Sequence, residues 1–370
     1  IKIPLSTPRL SFSISFGSIN YITQNANMKN LIILILSIFS LSLVGCETMS
    51  NNHRMKGERG IKHDRSRGKK HEGKRGKRET VASVCNGKSD LSKVPDNYLP
   101  AMIKYTKLNQ EYLIYVCTED SDGDGKPEFI VVESTGRPEH KSVYYESSEK
   151  YYEDYDYTTN IHKFAGVYEG QTPRRAGRNT IEEQALILKM PIQPTSAANK
   201  TKTDFGAMGI ALNGVSLFNE NAAPGDEITD ELFTFDQCSG HPENRGTYHY
   251  HVDPVCLIQK LGGKVNEVSK TDSGTTYNWL EDSGENAGLL LGFLMDGFPL
   301  YGPIGNGEKD CKGNAVPAID EYNGHQHCTT DFSSGNYHYH VKTAIQGGKN
   351  SPVFWITNEY FYGKPGLIGQ

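Results

Sequence analysis

Over most of its length the chain alternates short runs of β-branched and aromatic residues with clusters of Gly, Asn, Asp and Pro. That rhythm predicts strands of a few residues joined by tight turns, and long apolar stretches with a helical period are missing. Two segments carry it most clearly. "GIALNGVSLFN" (Gly209 to Asn219) and "GFLMDGFPLYG" (Gly292 to Gly302) each run from apolar residues through Asn-Gly or Asp-Gly into an alternation ending in Leu-aromatic. The steps Asn213-Gly214 and Asp296-Gly297 predict hairpins with type I′ turns, in which two successive residues take positive φ. Downstream of each come a cysteine, a Gly-His pair (Gly240-His241; Gly324-His325) and then Gly-X-Tyr-His-Tyr-His-Val. The copies are offset by 83 residues at the turns and by 89 at the tyrosine-histidine stretch. Shared order at nearly constant offset predicts an internal duplication. The expected fold is therefore mainly β, with two related β-units (about residues 205–260 and 288–345) packed together.

Upstream, Tyr112–Val116 and Phe129–Val132 predict a β-hairpin around the acidic loop "EDSDGDGKPE". Asp120, Asp122 and Asp124 alternate along a glycine-bent turn, and Glu128 stands at its ninth position. Such carboxylates offer a hard cation several oxygens at once, so calcium is the expected ligand. Val131 occupies the place of the closing glutamate of an EF-hand, and a strand follows instead of a helix. The loop resembles the D-x-D-G-D-G-x-x-D calcium loops of integrin-type propeller repeats. A solvated acidic turn is the alternative.

Charge and composition change the picture at the N-terminal end. After Met28 the sequence reads one lysine, an apolar run from Leu31 to Val44, and Leu43-Val44-Gly45-Cys46. A charged start, a short apolar stretch and a small-residue end describe an export signal; about 14 apolar residues fall short of the roughly 20 that span a bilayer. The ending resembles a bacterial lipobox, which makes residues 28–45 a lipoprotein signal peptide, Cys46 the lipidated residue, and 1–27 translated upstream sequence. Residues 51–80 hold 12 Lys and Arg against 4 Asp and Glu with almost no large apolar side chains. Such a segment cannot offset its chain entropy by burial, so 46–80 is expected to be a disordered tether. The remaining 81–370 are strongly acidic. These features predict a cell-envelope location, anchored by lipid to a bacterial membrane and facing away from the cytoplasm. The expected partners are that membrane and a glycan or envelope polymer, not nucleic acid.

The chain has seven cysteines. With Cys46 given to lipid, six remain, an even number that suggests disulfides in an exported protein. Local bridges Cys85–Cys117, Cys238–Cys256 and Cys311–Cys328 are expected. The stretches "NGVSLFN", "CSGHP", "YHYH" and "DGFPLYGP" together resemble the YHYH-domain family of exported proteins, over roughly residues 115–345. The resemblance implies a class and says little about activity, because the family is known mainly by its motif.

The chemistry rests on the histidines. Side chains on a strand alternate, so His249 and His251 share one face and Tyr248 and Tyr250 the other. His338 and His340 repeat this with Tyr337 and Tyr339. Two imidazoles two residues apart can ligate one metal; His241 or His325 is the natural third ligand, and His327 adds a second His-x-His spacing. Imidazoles without free thiolates suit Zn²⁺ or Cu²⁺. Whether the two sets meet at one ion or form two sites is open. Beside an open position, Glu243, Asp236 or Asp253 could act as base or supporting partner. His140, alone after a turn, and the tyrosine-rich "YYESSEKYYEDYDY" are expected at the surface. Three readings follow: a metal-binding protein, a non-catalytic surface adhesion module with structural YHYH strands, and a metal-dependent hydrolase or redox enzyme. Neither a substrate nor a catalytic residue can be assigned, since no nucleophile elbow, phosphate loop, Rossmann fingerprint or HExxH is present.

Overall fold

A computed structural model describes residues 83–153, 179–219, 221–222, 228–231, 234–272, 275–304, 308–345, 352–355 and 359–369. The export signal, Cys46 and the basic segment lie outside the described residues. Among those described, no helix is long and apolar enough to cross a membrane.

The chain is mainly β. One helix, α1 (Leu99–Leu108), is opened by a proline in its first turn and buries Ala101, Met102 and Tyr105. It precedes β1 (Tyr115–Glu119), β2 (Phe129–Ser134) and β3 (Leu186–Pro191), which pair antiparallel and, with β16 (Leu367–Gly369), form a four-stranded sheet. The first strand begins three residues later than the apolar pattern suggested.

The central sheet has eight strands. They are β4 (Ala207–Ala211), β5 (Ser216–Phe218), β6 (Gly240–Pro242), β7 (Tyr248–Tyr250), β10 (Leu290–Leu294), β11 (Pro299–Tyr301), β12 (Gly324–His327) and β13 (Asn336–His340). Between β5 and β6 runs the short α2 (Ile228–Glu231), and after β7 comes α3 (Val255–Lys260). β8 (Val265–Asp272) with β9 (Thr275–Asp282), and β14 (Lys342–Ile345) with β15 (Pro352–Trp355), make separate two-stranded ribbons.

The order across the large sheet is β12-β13-β11-β10-β4-β5-β7-β6, which reads the same from either edge. Each half has an antiparallel hairpin, a parallel pairing to a YHYH strand (β5 with β7, β11 with β13) and an antiparallel edge strand carrying Gly-His. The halves meet where β4 and β10 pair antiparallel. The two YHYH strands are thus five steps apart, about 24 Å at roughly 4.8 Å per strand.

The turns differ from the expected type. Positive φ falls on Gly214 and Gly297, while Asn213 and Asp296 are not among the positive-φ residues. Gly214 N donates to Ala211 O and Ala211 N to Val215 O, both at 2.8 Å. Gly297 N donates to Leu294 O at 2.9 Å and Leu294 N to Phe298 O at 3.1 Å. The chain therefore reverses over two ordinary residues and then a left-handed glycine, the three-residue hairpin with a bulge. This frees the preceding Asn or Asp side chain for another task. Asn213 Nδ2 donates to Tyr250 Oη at 3.0 Å, and Asp296 Oδ2 accepts from Tyr339 Oη at 2.5 Å. Each turn residue holds the second tyrosine of its own YHYH strand.

Two cores flank the sheet. Tyr248, Tyr250, Tyr337 and Tyr339 pack with Leu217, Leu291 and Leu300 in one. Ile210, Leu212 and Phe293 join α1 and the four-stranded sheet in the other. Tyr144 and Tyr145 belong to the first core and are buried, contrary to the surface position expected from their acidic neighbourhood; Tyr145 Oη donates to Pro138 O at 2.5 Å. The three disulfides are Cys85–Cys117, Cys238–Cys256 and Cys311–Cys328, as expected.

Candidate metal centres

Register decides which imidazoles meet. His241 on β6 lies opposite His249 on β7, and His325 on β12 lies opposite His338 on β13. Directly opposed side chains on one face stand about 5 Å apart at Cβ, and the residue two further along each YHYH strand shares that face. The result is two groups, His241 with His249 and His251, and Glu308 with His325, His327, His338 and His340. In each, the candidate ligand atoms all lie within 4.8 Å of one another. The predicted histidines are thus gathered into two clusters, at opposite edges of one sheet.

The first cluster is a three-imidazole set. His249 Nδ1 donates to Thr247 O at 2.9 Å, and His251 Nδ1 donates to Asn219 O at 2.5 Å. His241 Nδ1 meets Thr234 Oγ1 at 2.6 Å, and that hydroxyl already donates to Glu231 O. A carbonyl can only accept, so Nδ1 carries the proton and Nε2 presents a lone pair. The Nε2 atoms of His249 and His251 stand 3.0 Å apart. The buried Nε2 of His241 has no hydrogen-bond partner among the described residues. Two lone pairs at that spacing repel unless positive charge lies between them.

The second cluster repeats the device. His325, His327, His338 and His340 donate from Nδ1 to Pro317 O, Cys328 O, Asn336 O and Gly302 O at 2.7, 2.9, 3.1 and 2.8 Å. The Nε2 atom of His325 lies 3.0 Å from those of both His340 and His327. Glu308 Oε1 stands 3.3 Å from His327 Nε2 and 3.5 Å from His340 Nε2, and its Oε2 is 3.7 Å from His325 Nε2. The Nε2 of His338 is buried without a hydrogen bond among the described residues.

Burial sets the charge state. It pulls the pKa of His249 to about 4 and that of His340 to about 4, in the latter against the field of Glu308. His338 falls to about 2 through burial and then its neighbours His340 and His325. His241 and His251 are lowered for the same reasons, burial first. Burial opposes ionisation of Glu308, but the nearby rings of His325, His340 and His327 outweigh it and hold the carboxyl below its usual range. His241, His249, His251, His338 and His340 are therefore neutral at pH 7, the form that binds metal.

The tyrosines work from behind. Tyr248 Oη donates to Asp236 at 2.8 and 2.9 Å, and Tyr337 Oη to Asp320 at 3.0 and 3.2 Å. Gly240 and Gly324 permit this, because a Cβ at either would fall within about 2.5 Å of that hydroxyl. Asp236 therefore anchors the tyrosine face and is not at the imidazoles, which removes it as a base. Glu243 lines the cleft, but its carboxylate accepts from Arg245 N and Thr247 N and closes the turn between β6 and β7. Asp253 is fully buried. His140 is largely buried, and its Nε2 meets Tyr248 Oη at 3.1 Å, on the side away from the cluster.

At the acidic loop Asp120, Asp122, Asp124 and Glu128 come together. Asp120 accepts from Gly123 N and Gly125 N, Asp122 from Asp124 N, Asp124 from Lys126 N, and Glu128 from Ser121 N. The loop's own amides thus bond Asp120 through both carboxylate oxygens and Asp122, Asp124 and Glu128 through one each.

Glu308, Asp320 and the paired roles of Asn213 and Asp296 were not identified from the sequence. A signal existed for Asp320: "DQCSGH" and "DEYNGH" both place Asp four residues before the Gly of Gly-His. Glu308 has no local signature that marks it as a ligand.

A family model described as YHYH protein matches residues 187–317. The match takes in the first YHYH strand and the Asp296 turn and ends before the second YHYH strand. No curated protein and no solved structure matches the chain.

Proposed function

As the chain belongs to the YHYH family through residues 187–317, we propose that it is a transition-metal-binding protein with two imidazole centres on one duplicated sheet. The observation that carries this is the convergence of lone-pair Nε2 atoms at 3.0 Å, each imidazole being pinned at Nδ1. Metal-bound histidines almost always have the other nitrogen tied this way, which fixes tautomer and orientation in advance. The spacing suits the ion as well. Metal–nitrogen bonds of about 2.0–2.1 Å imply ligand–ligand edges of about 2.9 Å at right angles and about 3.3 Å in a tetrahedron. All-imidazole donors, with one carboxylate in the second centre, favour Zn²⁺ or Cu²⁺ over hard cations.

The centres differ in access. Glu308 and four histidines supply five donor groups, a closed shell suited to structure or storage. His241, His249 and His251 supply three and border a cleft of about 700 Å³. A three-nitrogen centre facing a cleft can hold an outside ligand or an activated water, which supports a hydrolytic or redox role for this half. The apolar run ending in Cys46 supports an envelope location on a lipid anchor, with residues 46–80 as a spacer.

Untagged protein dialysed against micromolar zinc or copper and then against metal-free buffer is expected to retain two equivalents per chain. A chain that retains none is the adhesion-module alternative, its histidines merely structural.

A further inference from the structure

We infer that the cleft beside the three-histidine centre takes a small organic acid with an apolar ring, its carboxylate toward the metal and Arg245 and its ring against Phe205. This rests on the metal reading of that centre. Three features of the cleft lead there.

The first is an incomplete donor set. Glu231 Oε2 approaches His241 Nε2 at 3.7 Å, but Glu231 is outside the group of atoms lying mutually within 4.8 Å. Three neutral nitrogens bring a divalent ion no charge of their own, and a single nearby carboxylate, Glu231, offsets only part of its charge, so an anionic outside ligand is favoured. The second centre has Glu308 in that role and has no need of one. Among the described residues, the mutually close group of the second half contains a carboxylate and that of the first contains none.

The second is Arg245. It lines the cleft, on the exposed turn between β6 and β7. Its sequence neighbour Glu243 is engaged by main-chain amides, and Arg245 has no ion-pair partner among the described residues. A guanidinium lining the same cleft as a cation centre favours a carboxylate, which it can grip through two parallel N–H donors.

The third is the apolar wall. Phe205 is 58% exposed, one of few large apolar side chains left open to water among the described residues, and it lines this cleft. Phe218 stacks on His249 with centroids 3.9 Å apart and 19° between planes, so aromatic surface continues to the ligand ring. A flat apolar body covers Phe205 without disturbing the histidines. A cleft of about 700 Å³ lies in the ordinary range for small-molecule sites, about 300–1,000 Å³.

The test uses the full chain loaded with Co²⁺, whose visible bands report its ligands, titrated with benzoate, acetate and neutral imidazole. Benzoate is expected to shift the bands and to bind about tenfold more tightly than acetate, from the added apolar contact. Phe205→Ala should erase that preference. Arg245→Gln should weaken both acids about tenfold, through loss of the charge-assisted contact, and leave imidazole binding unchanged. Both positions are at the surface, so the variants should fold. A cobalt-loaded protein whose spectrum ignores both acids, or an Arg245→Gln variant that binds them as before, overturns this inference and leaves the metal centre standing. A chain that takes up no cobalt overturns the reading beneath it.

Discussion

Replacing His325 and His340 together by alanine is expected to lower bound metal from two equivalents per chain to one, and His249→Ala with His251→Ala to do the same at the other centre. The independence follows from topology, since the two YHYH strands sit five strand steps apart and share no ligand. In the second centre the loss removes the two imidazoles whose Nε2 atoms stand 3.0 Å apart and leaves Glu308 with a weakened field. In the first it removes two of three donors, so nothing useful remains. Combining all four changes should abolish uptake. Elemental analysis after dialysis reads each outcome. If either double variant lost both equivalents while folded, the centres would be coupled and the two-site description wrong.

Acid should unfold the metal-free protein far more readily than the loaded one, and over a window set by the histidines. A histidine whose folded pKa lies below its unfolded value binds its proton more weakly when folded. Its cost is absent above about 6.5, grows as the pH falls, and is complete near the folded pKa, about 4 for His249 and His340. Each shift corresponds to roughly 3 kcal/mol at the acid end. Asp296 works in the opposite sense. Burial raises its carboxyl to about 6, so its contribution improves as the pH drops through that value. His241, His249, His251, His338 and His340 all shift downward, so the histidines dominate. Denaturant unfolding of metal-free protein at pH 8, 6.5 and 5 should show stability falling below pH 6.5. Saturating zinc should hold it up until protons displace the ion. A metal-free stability flat from pH 8 to 5 would mean that the imidazoles are not held neutral by burial.

Much of this was legible in the residues themselves, and the reasons are specific. Tyr-His alternation has the strand period, so the split into a tyrosine face and a histidine face follows from geometry alone. Gly-His could be matched to YHYH because both occur twice in the same order. The three cysteine pairs were local enough to match in sequence. Other features depend on partners that no local pattern encodes. The Nδ1 acceptors are carbonyls of Thr247, Asn219, Asn336 and Gly302, and a main-chain oxygen leaves no mark on the residue type. Glu308 reaches the second centre from the segment after β11, where nothing in "GEKD" marks it off from Asp310 two residues on. The turns were misjudged because Asn-Gly and Asp-Gly suit type I′. Here the tertiary demand for a side chain to hold Tyr250 or Tyr339 governs the position instead. Asp236, one of three candidates for a base or supporting partner, binds Tyr248 Oη behind the imidazoles, a pairing that no local pattern encodes.

X-ray absorption at the metal edge, on untagged protein loaded with zinc or copper, tests the central claim most directly. The account predicts a nearest shell of nitrogen at about 2.0–2.1 Å, with the outer-shell scattering of several imidazoles and no sulfur. A shell made mainly of oxygen with no imidazole signature would contradict it, because the ion would then sit at surface carboxylates and not between the histidines of the YHYH strands.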